Sequence, residues 1–529
     1  MAGLSSFWLV DFKSPARVLA RVFWSSREKF KRISKQRAEE VESLKAQLAD
    51  RDRQYQLLEL ELEFCRSQQA QVNQVPDGAY ERPLPGHQFT PRMISLCCEL
   101  CLIVGFHATP KVLTCVSEAF HLQLKIPSHD AVRNWNFRNG VAILQEPTPA
   151  DDLIWMIDHS VQLGKQFVLV VLGIRLADAP KDRPLKREDM LVLAVLPTPT
   201  RTKEEVSKQL QQVIKTYGKP LAVVSDGASE LREAVASLKD PQCEKCGNPD
   251  EPVKPVKPNT CEQCQVICLS DVKHKIASLL KRELGPKESW KEFESHIGTT
   301  TASIQQTELD HFLPPRKKLK CRFMNFDRVV DWARDTLQQL QQDASLAQLN
   351  EKLGWLSKYT AELEQWQQVR DMISKVLRQA NHQGVWMGAT EQLRQELLLL
   401  PATSDWVVKI REALLGIVSA NESLLKEIPI QSVRLPCSTE VLESAFGAFK
   451  SLQRHHNRGT FTALLATFPT LFDTCTPEKI RSRLSRVSNK TLKDWIETSG
   501  LSNSTHSRRM KMKSKRPKTQ TIPILNTVS

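Results

Sequence analysis

The stretch "LAVVSDGASELREAVASL", residues 221–238, places a carboxylate where a buried strand gives way to a helix. Its apolar, β-branched run predicts a strand, and Asp226 and Gly227 follow before a helical pattern begins near Ala228. A single aspartate at such a corner is typical of a helix cap or turn residue. A functional role for Asp226 therefore depends on partners that other parts of the chain supply.

The segments around this stretch repeat the alternation of strands and helices. Segment 202–218 predicts a helix with Thr202 as its N-cap and Gly218 just past its end. The other predicted elements are strands at "DLIWMIDHS" (152–160), "QFVLVVLGIRL" (166–176), "DMLVLAVLPTP" (189–199) and "QVICLSD" (265–271), and a helix at "VKHKIASLLKREL" (272–284). Three strands, helix, strand, helix, strand, helix is the order of an α/β RNase H-like fold.

Two carboxylates close predicted strands that are neighbours in such a fold. Asp158 ends the first strand and Asp226 ends the fourth, so we expect them side by side. Two adjacent carboxylates repel each other unless a cation lies between them, and Mg²⁺ or Mn²⁺ suits carboxylate oxygens. A third acid, Glu440 or Glu443 on one helix face of "CSTEVLESAFGAFK" (437–450), would complete a two-metal site.

Four motifs carry a family resemblance, namely "IDHS" (157–160), "VVSDGASELR" (223–232), "SDVKHKIA" (270–277) and "TEVLESAFGAFK" (439–450). Together they resemble the DDE transposases of insertion sequences, over roughly residues 90–460. The resemblance implies an RNase H-like core that cuts DNA at terminal inverted repeats and joins the 3′ ends to a target. It assigns the catalytic acids to Asp158, Asp226 and Glu443, since Ser444, Phe446 and Lys450 follow the glutamate as in the family.

The same resemblance includes a C/D-x-x-H signature, which Asp271 and His274 match. It implies a catalytic role for both residues, because Asp271 ends the fifth strand and His274 follows one helical turn later. The alternative is a histidine at a helix start whose ring is satisfied by Asp271. His159, next to Asp158, is predicted to be structural.

Composition supports an intracellular, DNA-binding protein. The chain has 529 residues, 74 Lys and Arg against 60 Asp and Glu, and a net charge of +14. This excess suits an anionic partner such as DNA. No apolar stretch is long enough to span a bilayer, and charged residues interrupt the N-terminal segment where a signal peptide needs its apolar core. We expect no membrane association and the cytoplasm or nucleoid of a prokaryote.

Two CxxC pairs between the fourth and fifth strands predict a structural Zn²⁺ site. Its four thiolates are Cys243, Cys246, Cys261 and Cys264. A full set of four ligands leaves no open position for catalysis. A redox or unliganded role is the alternative.

Residues 90–145 predict three short helices that resemble a helix-turn-helix unit. Ser128 is the expected N-cap of the third, polar helix. In that arrangement the third helix presents its side chains to DNA bases. The candidate DNA-binding residues are Arg133, Asn134, Asn136 and Arg138 here, Arg316, Lys317 and Lys318 in a basic run, and Arg508 and Arg509 in the tail. A generic three-helix connector and solvated basic faces are the alternatives.

The resulting organisation has eight parts. An apolar 3-4 spacing in 28–75 predicts a coiled coil, and hence a homodimer or larger assembly on DNA; the alternative is a single helix packed on its own protein. The parts are an N-terminal segment (1–27), the coiled coil (28–75), a linker (76–89), the helix-turn-helix (90–145), the first part of the core (150–285, with the zinc excursion at 240–266), an all-α insertion (286–430), the core completion carrying the glutamate (431–475) and a basic tail (476–529).

Three functions fit these observations. A metal-dependent transposase accounts for all three acids. A DNA-binding protein derived from such an enzyme needs only the helix-turn-helix and the tail. A nuclease of the RNase H type shares the metal site but needs no specific DNA ends.

Overall fold

The computed structural model describes most of the chain. The described residues are 82–163, 166–238, 266–315, 322–342, 347–427, 433–454 and 463–501, with scattered positions between 24 and 51. The chain divides into two compact units, Met1–Ala79 and Tyr80–Ser529.

In the first unit, every described position between Trp24 and Arg51 is helical. Three positions of the predicted coiled-coil seam, Val41, Leu44 and Leu48, expose about half or more of their surface. The C-terminal part of the predicted coiled coil lies outside the described residues. Dimerisation through this helix stays a prediction.

The second unit opens with three helices where the sequence predicts them. They are α1 (Pro91–Val104), α2 (Ala108–Ala119) and α3 (His129–Leu144). The Ser128 hydroxyl accepts a hydrogen bond from the backbone N–H of Ala131 at 3.2 Å, which confirms the predicted N-cap of α3.

A mixed five-stranded sheet follows, with strand order β3-β2-β1-β4-β5. The strands are β1 (Leu153–Leu163), β2 (Gln166–Arg175), β3 (Leu191–Thr198), β4 (Ala222–Ser225) and β5 (Ile267–Ser270). β2 pairs antiparallel with β1 and β3, whereas β4 pairs parallel with β1 and β5. All five strands lie within the predicted runs except that β1 continues past its run to Leu163.

Helices cover both faces of the sheet. On one face, α4 (Lys203–Tyr217) and α5 (Ser229–Ala236) pack on Leu153, Trp155 and Ile157. The alternate residues of β1, Ile154 and Met156, belong to a second and larger core with α1, α3 and the later helices. This alternation follows from the two-residue period of a strand.

An all-α insertion separates β5 from the last part of the core. It follows α6 (Val272–Glu283) and comprises α7 (Glu288–Ile304), α8 (Phe326–Gln342), α9 (Ala347–Leu353), α10 (Thr360–His382), α11 (Ala389–Leu398) and α12 (Asp405–Leu424). Short 3₁₀ turns lie at Leu176–Asp178, Arg187–Asp189, Asp310–Phe312, Arg322–Asn325, Gly354–Tyr359 and Leu425–Glu427.

The insertion has an aromatic centre and is attached to the sheet edge. Trp290 and Trp366 are buried with their ring centroids 4.9 Å apart. The buried amide of Asn421 in α12 accepts a hydrogen bond from Ser270 N and donates one to Ser270 O. The edge strand β5 thus pairs with a helix side chain where a further strand would pair.

The chain then returns to the core through α13 (Glu440–Arg454), a 3₁₀ segment (Ala463–Leu471), α14 (Pro477–Arg486) and α15 (Asn489–Thr498). The predicted basic tail therefore begins too early, because α14 and α15 pack on α3. Buried Arg483 of α14 bonds the carboxylates of Glu146 and Asp473, which ties this helix to the end of α3. Although residues 476–501 are rich in Lys and Arg, this segment is folded against α3 by apolar packing and by the ion cluster around Arg483.

Among the described helices, none is by itself long and apolar enough to cross a membrane. Only α1 and α2 taken together pass such a test, and they are bent by 116° relative to each other.

Helix α3 passes so close to the 3₁₀ segment that only glycine fits at residue 140. A Cβ built on Gly140 would lie 1.7 Å from the carbonyl oxygen of Ala466. We therefore expect Gly140→Ala to lower the free energy of unfolding by about 3 kcal/mol, because backbone atoms must move apart. Urea unfolding followed by circular dichroism measures this loss.

Gly298→Ala is the matched control, since this exposed helical glycine has no atom within 4 Å of a built Cβ. It is expected to stabilise the protein by up to about 1 kcal/mol through helix propensity. Equal effects of the two substitutions would contradict the close packing of α3.

Candidate active site

Three aspartates lie in one row across the parallel half of the sheet. Ile157 of β1 pairs with Ser225 of β4, and Ser225 pairs with Ser270 of β5. The residues that follow these three are Asp158, Asp226 and Asp271. The register therefore brings Asp158 and Asp226 side by side at the carboxyl ends of neighbouring strands, as the sequence predicts.

Asp158 does not end its strand, contrary to the sequence prediction. β1 continues to Leu163 against β2, after an irregularity in the pairing between Asp158 and Val161. Only the parallel pairing with β4 stops at Ile157. The prediction failed because β1 pairs with β4 only as far as Ile157 but with β2 as far as Leu163. Irregular pairing of this kind, a β-bulge, often redirects side chains next to functional sites.

The predicted third acid lies on a helix that covers the same face of the sheet. Asp158 shares its strand parity with Ile154 and Met156, which face the larger core. Helix α13 contacts β1 from that side and buries Leu442 and Phe446 in the same core. Glu443 lies in the first turn of α13, with about a third of its side chain exposed.

Asp271 joins the starts of two helices and is fully buried. Its Oδ1 accepts a hydrogen bond from His274 N at the start of α6. Its Oδ2 accepts two bonds of 2.6 Å, from the N–H and the hydroxyl of Thr439, the residue before α13. Burial opposes ionisation, but the His274 ring and these donors outweigh it and lower the pKa of Asp271.

Both oxygens of Asp271 accept hydrogen bonds from protein groups, an arrangement that suits a carboxylate that positions other groups. The predicted catalytic role of Asp271 stays a prediction. Thr439, which shares this anchor, was not found from the sequence, since no motif marks a threonine 168 residues away as a partner of Asp271.

His274 lies between Asp271 and Glu443. Its Nδ1 is 3.3 Å from Asp271 Oδ1 and its Nε2 is 3.7 Å from Glu443 Oε1. The Asp271 carboxylate raises the pKa of His274 although burial opposes the charge, and Glu443 and Asp226 add to the rise. The imidazole thus lies between two carboxylates, with Nδ1 beside Asp271 and Nε2 toward the candidate acid.

Lys273 distinguishes the two glutamates of α13. Its Nζ lies 2.6 Å from Glu440 Oε1 and 3.7 Å from Glu443 Oε2. Glu440 Oε2 also accepts a hydrogen bond from Asn381 of α10 at 2.9 Å. Burial lowers the pKa of Lys273, but Glu440 and Glu443 outweigh it, so the pKa is raised. Glu440 bonds two protein groups at hydrogen-bond distance whereas the two cationic groups lie 3.7 Å from Glu443, which favours Glu443 as the third acid.

Among the described residues, no three His, Cys, Asp or Glu side chains are drawn together closely enough to hold a metal ion. The chemistry of the site nevertheless fits Mg²⁺, because Asp158, Asp226 and Glu443 offer hard carboxylate oxygens on one side of the sheet. Glu443 instead faces the two cationic groups Lys273 and His274.

His159 is buried, and among the described residues neither ring nitrogen has a hydrogen-bond partner. Burial lowers the pKa of His159 to about 4, with Arg201 contributing. The neutral, enclosed ring is consistent with the predicted structural role.

Helix α3 does not present the predicted DNA-contacting surface. Asn136 is fully buried and donates a hydrogen bond to Thr470. Arg138 is 8% exposed and donates to the carbonyl oxygens of Leu484 and Val487. The prediction that Asn136 and Arg138 contact DNA bases is wrong for this structure, because the 3₁₀ segment and α14 cover both side chains. Arg133 bonds Asp130 on a more exposed side of α3, and its DNA contact stays a prediction, as does that of Asn134.

Other predicted sites lie outside the described residues. They are the zinc ligands Cys243, Cys246, Cys261 and Cys264 and the basic residues Arg316, Lys317, Lys318, Arg508 and Arg509.

Comparison with known proteins gave no relative. No family model matches the chain, and a search of the curated proteins found no match.

The neutral His159 predicts a pH-dependent stability. The pKa in the folded protein, about 4, is below the ordinary 6.5, so the unfolded chain takes up the proton first. The free energy of unfolding should therefore fall by about 3 kcal/mol between pH 6.5 and 4 on account of this residue. Urea unfolding across this range should show the slope reduced in His159→Phe and unchanged in His311→Gln, an exposed control. An unreduced slope in His159→Phe would show that this ring does not titrate as described.

The position of Asp271 predicts the ionisation of His274. Asp271→Asn removes the main charge that raises the pKa of His274, so this pKa should fall. NMR titration of the His274 ring measures the change. Asp335→Asn, which removes an exposed aspartate paired with Arg334, is the control and should leave the titration curve in place. A His274 pKa that is the same in wild type and Asp271→Asn would contradict this account.

Proposed function

We propose that the protein is a DDE-type transposase with an RNase H-like catalytic core. In this proposal it cleaves DNA at the terminal inverted repeats of its element and transfers the 3′ ends to a target. The strand order, with an antiparallel β1-β2-β3 and a parallel β1-β4-β5 half, supports the RNase H-like assignment. The insertion between β5 and α13 also agrees with the family resemblance.

One observation carries the proposal. The β1–β4 register aligns Asp158 with Asp226, and α13 brings Glu443 over the same face from a distant part of the chain. Lys273 and His274 offset part of the repulsion among these three carboxylates, and a bound cation would offset the rest. Asp226 Oδ1 accepts a hydrogen bond from Ala228 N at 2.9 Å within its own turn, and this local bond does not require the alignment with Asp158.

Asp158, Asp226 and Glu443 would hold Mg²⁺, which supplies a lowered pKa for the attacking water or hydroxyl and charge neutralisation at the phosphate. In this proposal Lys273, Asp271 and His274 position the acids and offset their negative charge. Lys273 engages Glu440 and keeps a positive charge 3.7 Å from Glu443. Asp271 lies beside Nδ1 of the His274 ring, and Nε2 faces Glu443. His274 is thereby placed to carry a proton at Nε2 beside the third acid.

DNA is the proposed substrate because the chain has a net charge of +14 and because of the motifs around the acids. Two DNA ends must be joined in one reaction, which agrees with the homodimer or larger assembly expected from the N-terminal helix.

The proposal predicts which acids are needed for cleavage. Asp158→Asn, Asp226→Asn and Glu443→Gln should each lower the cleavage rate by at least about 10³-fold, since each removes several kcal/mol of metal-dependent stabilisation. Glu440→Gln should have a much smaller effect, because that carboxylate is held by Lys273 and Asn381. The assay uses purified full-length protein, Mg²⁺ or Mn²⁺, and a DNA fragment carrying the gene's own flanks.

DNA binding is measured in parallel and should persist in all four variants. Cleavage at defined ends supports a transposase, whereas cutting without preference for ends indicates a plain nuclease. Specific binding without cutting indicates a DNA-binding derivative. Unchanged cleavage by Asp226→Asn would exclude the assigned active site.

A further inference from the structure

A cleft of about 920 Å³ opens next to Glu443. One wall is the connection between β2 and β3, from Leu176 to Glu188. The opposite wall is formed by the end of α10 and by residues 433–438, and Glu440, Glu443 and Ser444 of α13 complete the lining. The cleft therefore ends at the candidate third acid.

The carboxylate of Asp189 bonds two parts of the β2–β3 connection to each other. Asp189 accepts two hydrogen bonds from the guanidinium of Arg183, at 2.7 and 2.8 Å, and a third from Lys186 N at 2.8 Å. The Asp182 carbonyl oxygen lies 3.2 Å from His382 Nδ1 on the other wall. The connection is thus ordered and contacts the opposite wall.

The β2–β3 wall carries more cations than carboxylates, because Lys181, Arg183, Lys186 and Arg187 line the cleft there against Glu188 alone. Among the described residues, the side chains of Lys181, Lys186 and Arg187 form no ion pair, although all three line the cleft. Arg434 lines the opposite wall with its guanidinium 4.5 Å from the ring centre of Trp386. Unpaired cations on both walls favour a ligand with several negative charges.

We infer that this cleft binds an unpaired DNA strand and leads its backbone to Glu443. This inference rests on the proposed function and adds to it the strandedness of the DNA at the site. Lys181, Lys186 and Arg187 contact phosphates, and Arg434 offers a planar group for a base. The apolar lining residues Leu176, Pro180, Leu185 and Leu435 face the remaining base surface.

The size of the cleft selects the single strand. A volume of about 920 Å³ lies in the range of pockets that hold small molecules, whereas a DNA duplex is so wide that its major groove alone measures about 12 Å. A duplex therefore cannot enter between the two walls, whereas a few unpaired nucleotides can. The DNA next to the scissile phosphate must accordingly be opened before it reaches Glu443.

The test compares two triple variants of the full-length chain in an Asp226→Asn background, which prevents cutting. The cleft variant is Lys181→Gln, Lys186→Gln and Arg187→Gln. The control variant is Lys208→Gln, Lys215→Gln and Arg232→Gln, which removes the same charge from α4 and α5 on the opposite face of the sheet. Fluorescence anisotropy with a labelled 15-nucleotide single strand and with its duplex gives the affinities at several salt concentrations.

The cleft variant is expected to bind the single strand about 10- to 100-fold more weakly, with the salt slope reduced by about 2 for three lost phosphate contacts. The control variant should lose far less, and duplex affinity should change little in either. Equal losses in the two triple variants, or an equal loss for duplex and single strand, would overturn the inference.

Two further results separate this inference from the proposed function. Photocrosslinking of a 4-thiothymidine strand to the otherwise unaltered Asp226→Asn protein should label peptides 176–189 and 433–438; labelling only elsewhere would overturn the cleft assignment. If the wild type cuts no DNA while the crosslinks and the affinity loss are found, the proposed transposase fails and the strand-binding cleft stands. If the wild type cuts DNA and the cleft variant binds the single strand normally, the opposite holds.

Discussion

The carboxylate of Asp271 bonds the first residues of two helices that are far apart in the chain. It is fully buried, and a buried charge is costly unless several donors surround it. Three donors from His274 and Thr439 meet this need, and each bond also fixes a helix start beside the carboxyl ends of β4 and β5. The positions of His274 and Glu443 relative to Asp226 depend on this one group. The proposed site is therefore organised by a carboxylate that positions other groups.

Local patterns in the sequence predicted the strands and helices of the core. The expected neighbourhood of the first and fourth strands predicted that Asp158 and Asp226 lie close together. The five strands and the N-caps Ser128 and Thr202 follow from alternation, apolar runs and hydroxyl residues. The side-by-side placement of Asp158 and Asp226 followed once the RNase H-like strand order was assumed. The choice between Glu440 and Glu443 rested on resemblance, and the contacts of Lys273 and Asn381 now supply a physical reason. Such contacts join residues up to 167 positions apart, so no local pattern encodes them.

Helix α3 shows why a polar helix was mistaken for a DNA-reading one. Arg138, Asn136 and Asn139 have the composition of a base-contacting surface, but their partners are carbonyl oxygens and side chains of the same chain. Buried polar groups need hydrogen bonds, and here the 3₁₀ segment and α14 provide them. The sequence shows which side chains of a helix can donate hydrogen bonds, but it does not show which distant residues accept them. The close packing at Gly140, which the lack of a side chain permits, could likewise not be predicted from the sequence.

The separation of the acids along the chain has a consequence for synthesis. Asp158 and Asp226 leave the ribosome long before Thr439 and Glu443, because the insertion lies between them. Until Thr439 arrives, Asp271 lacks its two shortest bonds, and α13 has no anchor on the sheet. Closing so long a loop is slow relative to local helix formation. A nascent or truncated chain thus holds two of the proposed acids without the third, and the proposed site is complete only when nearly the whole polypeptide has been made.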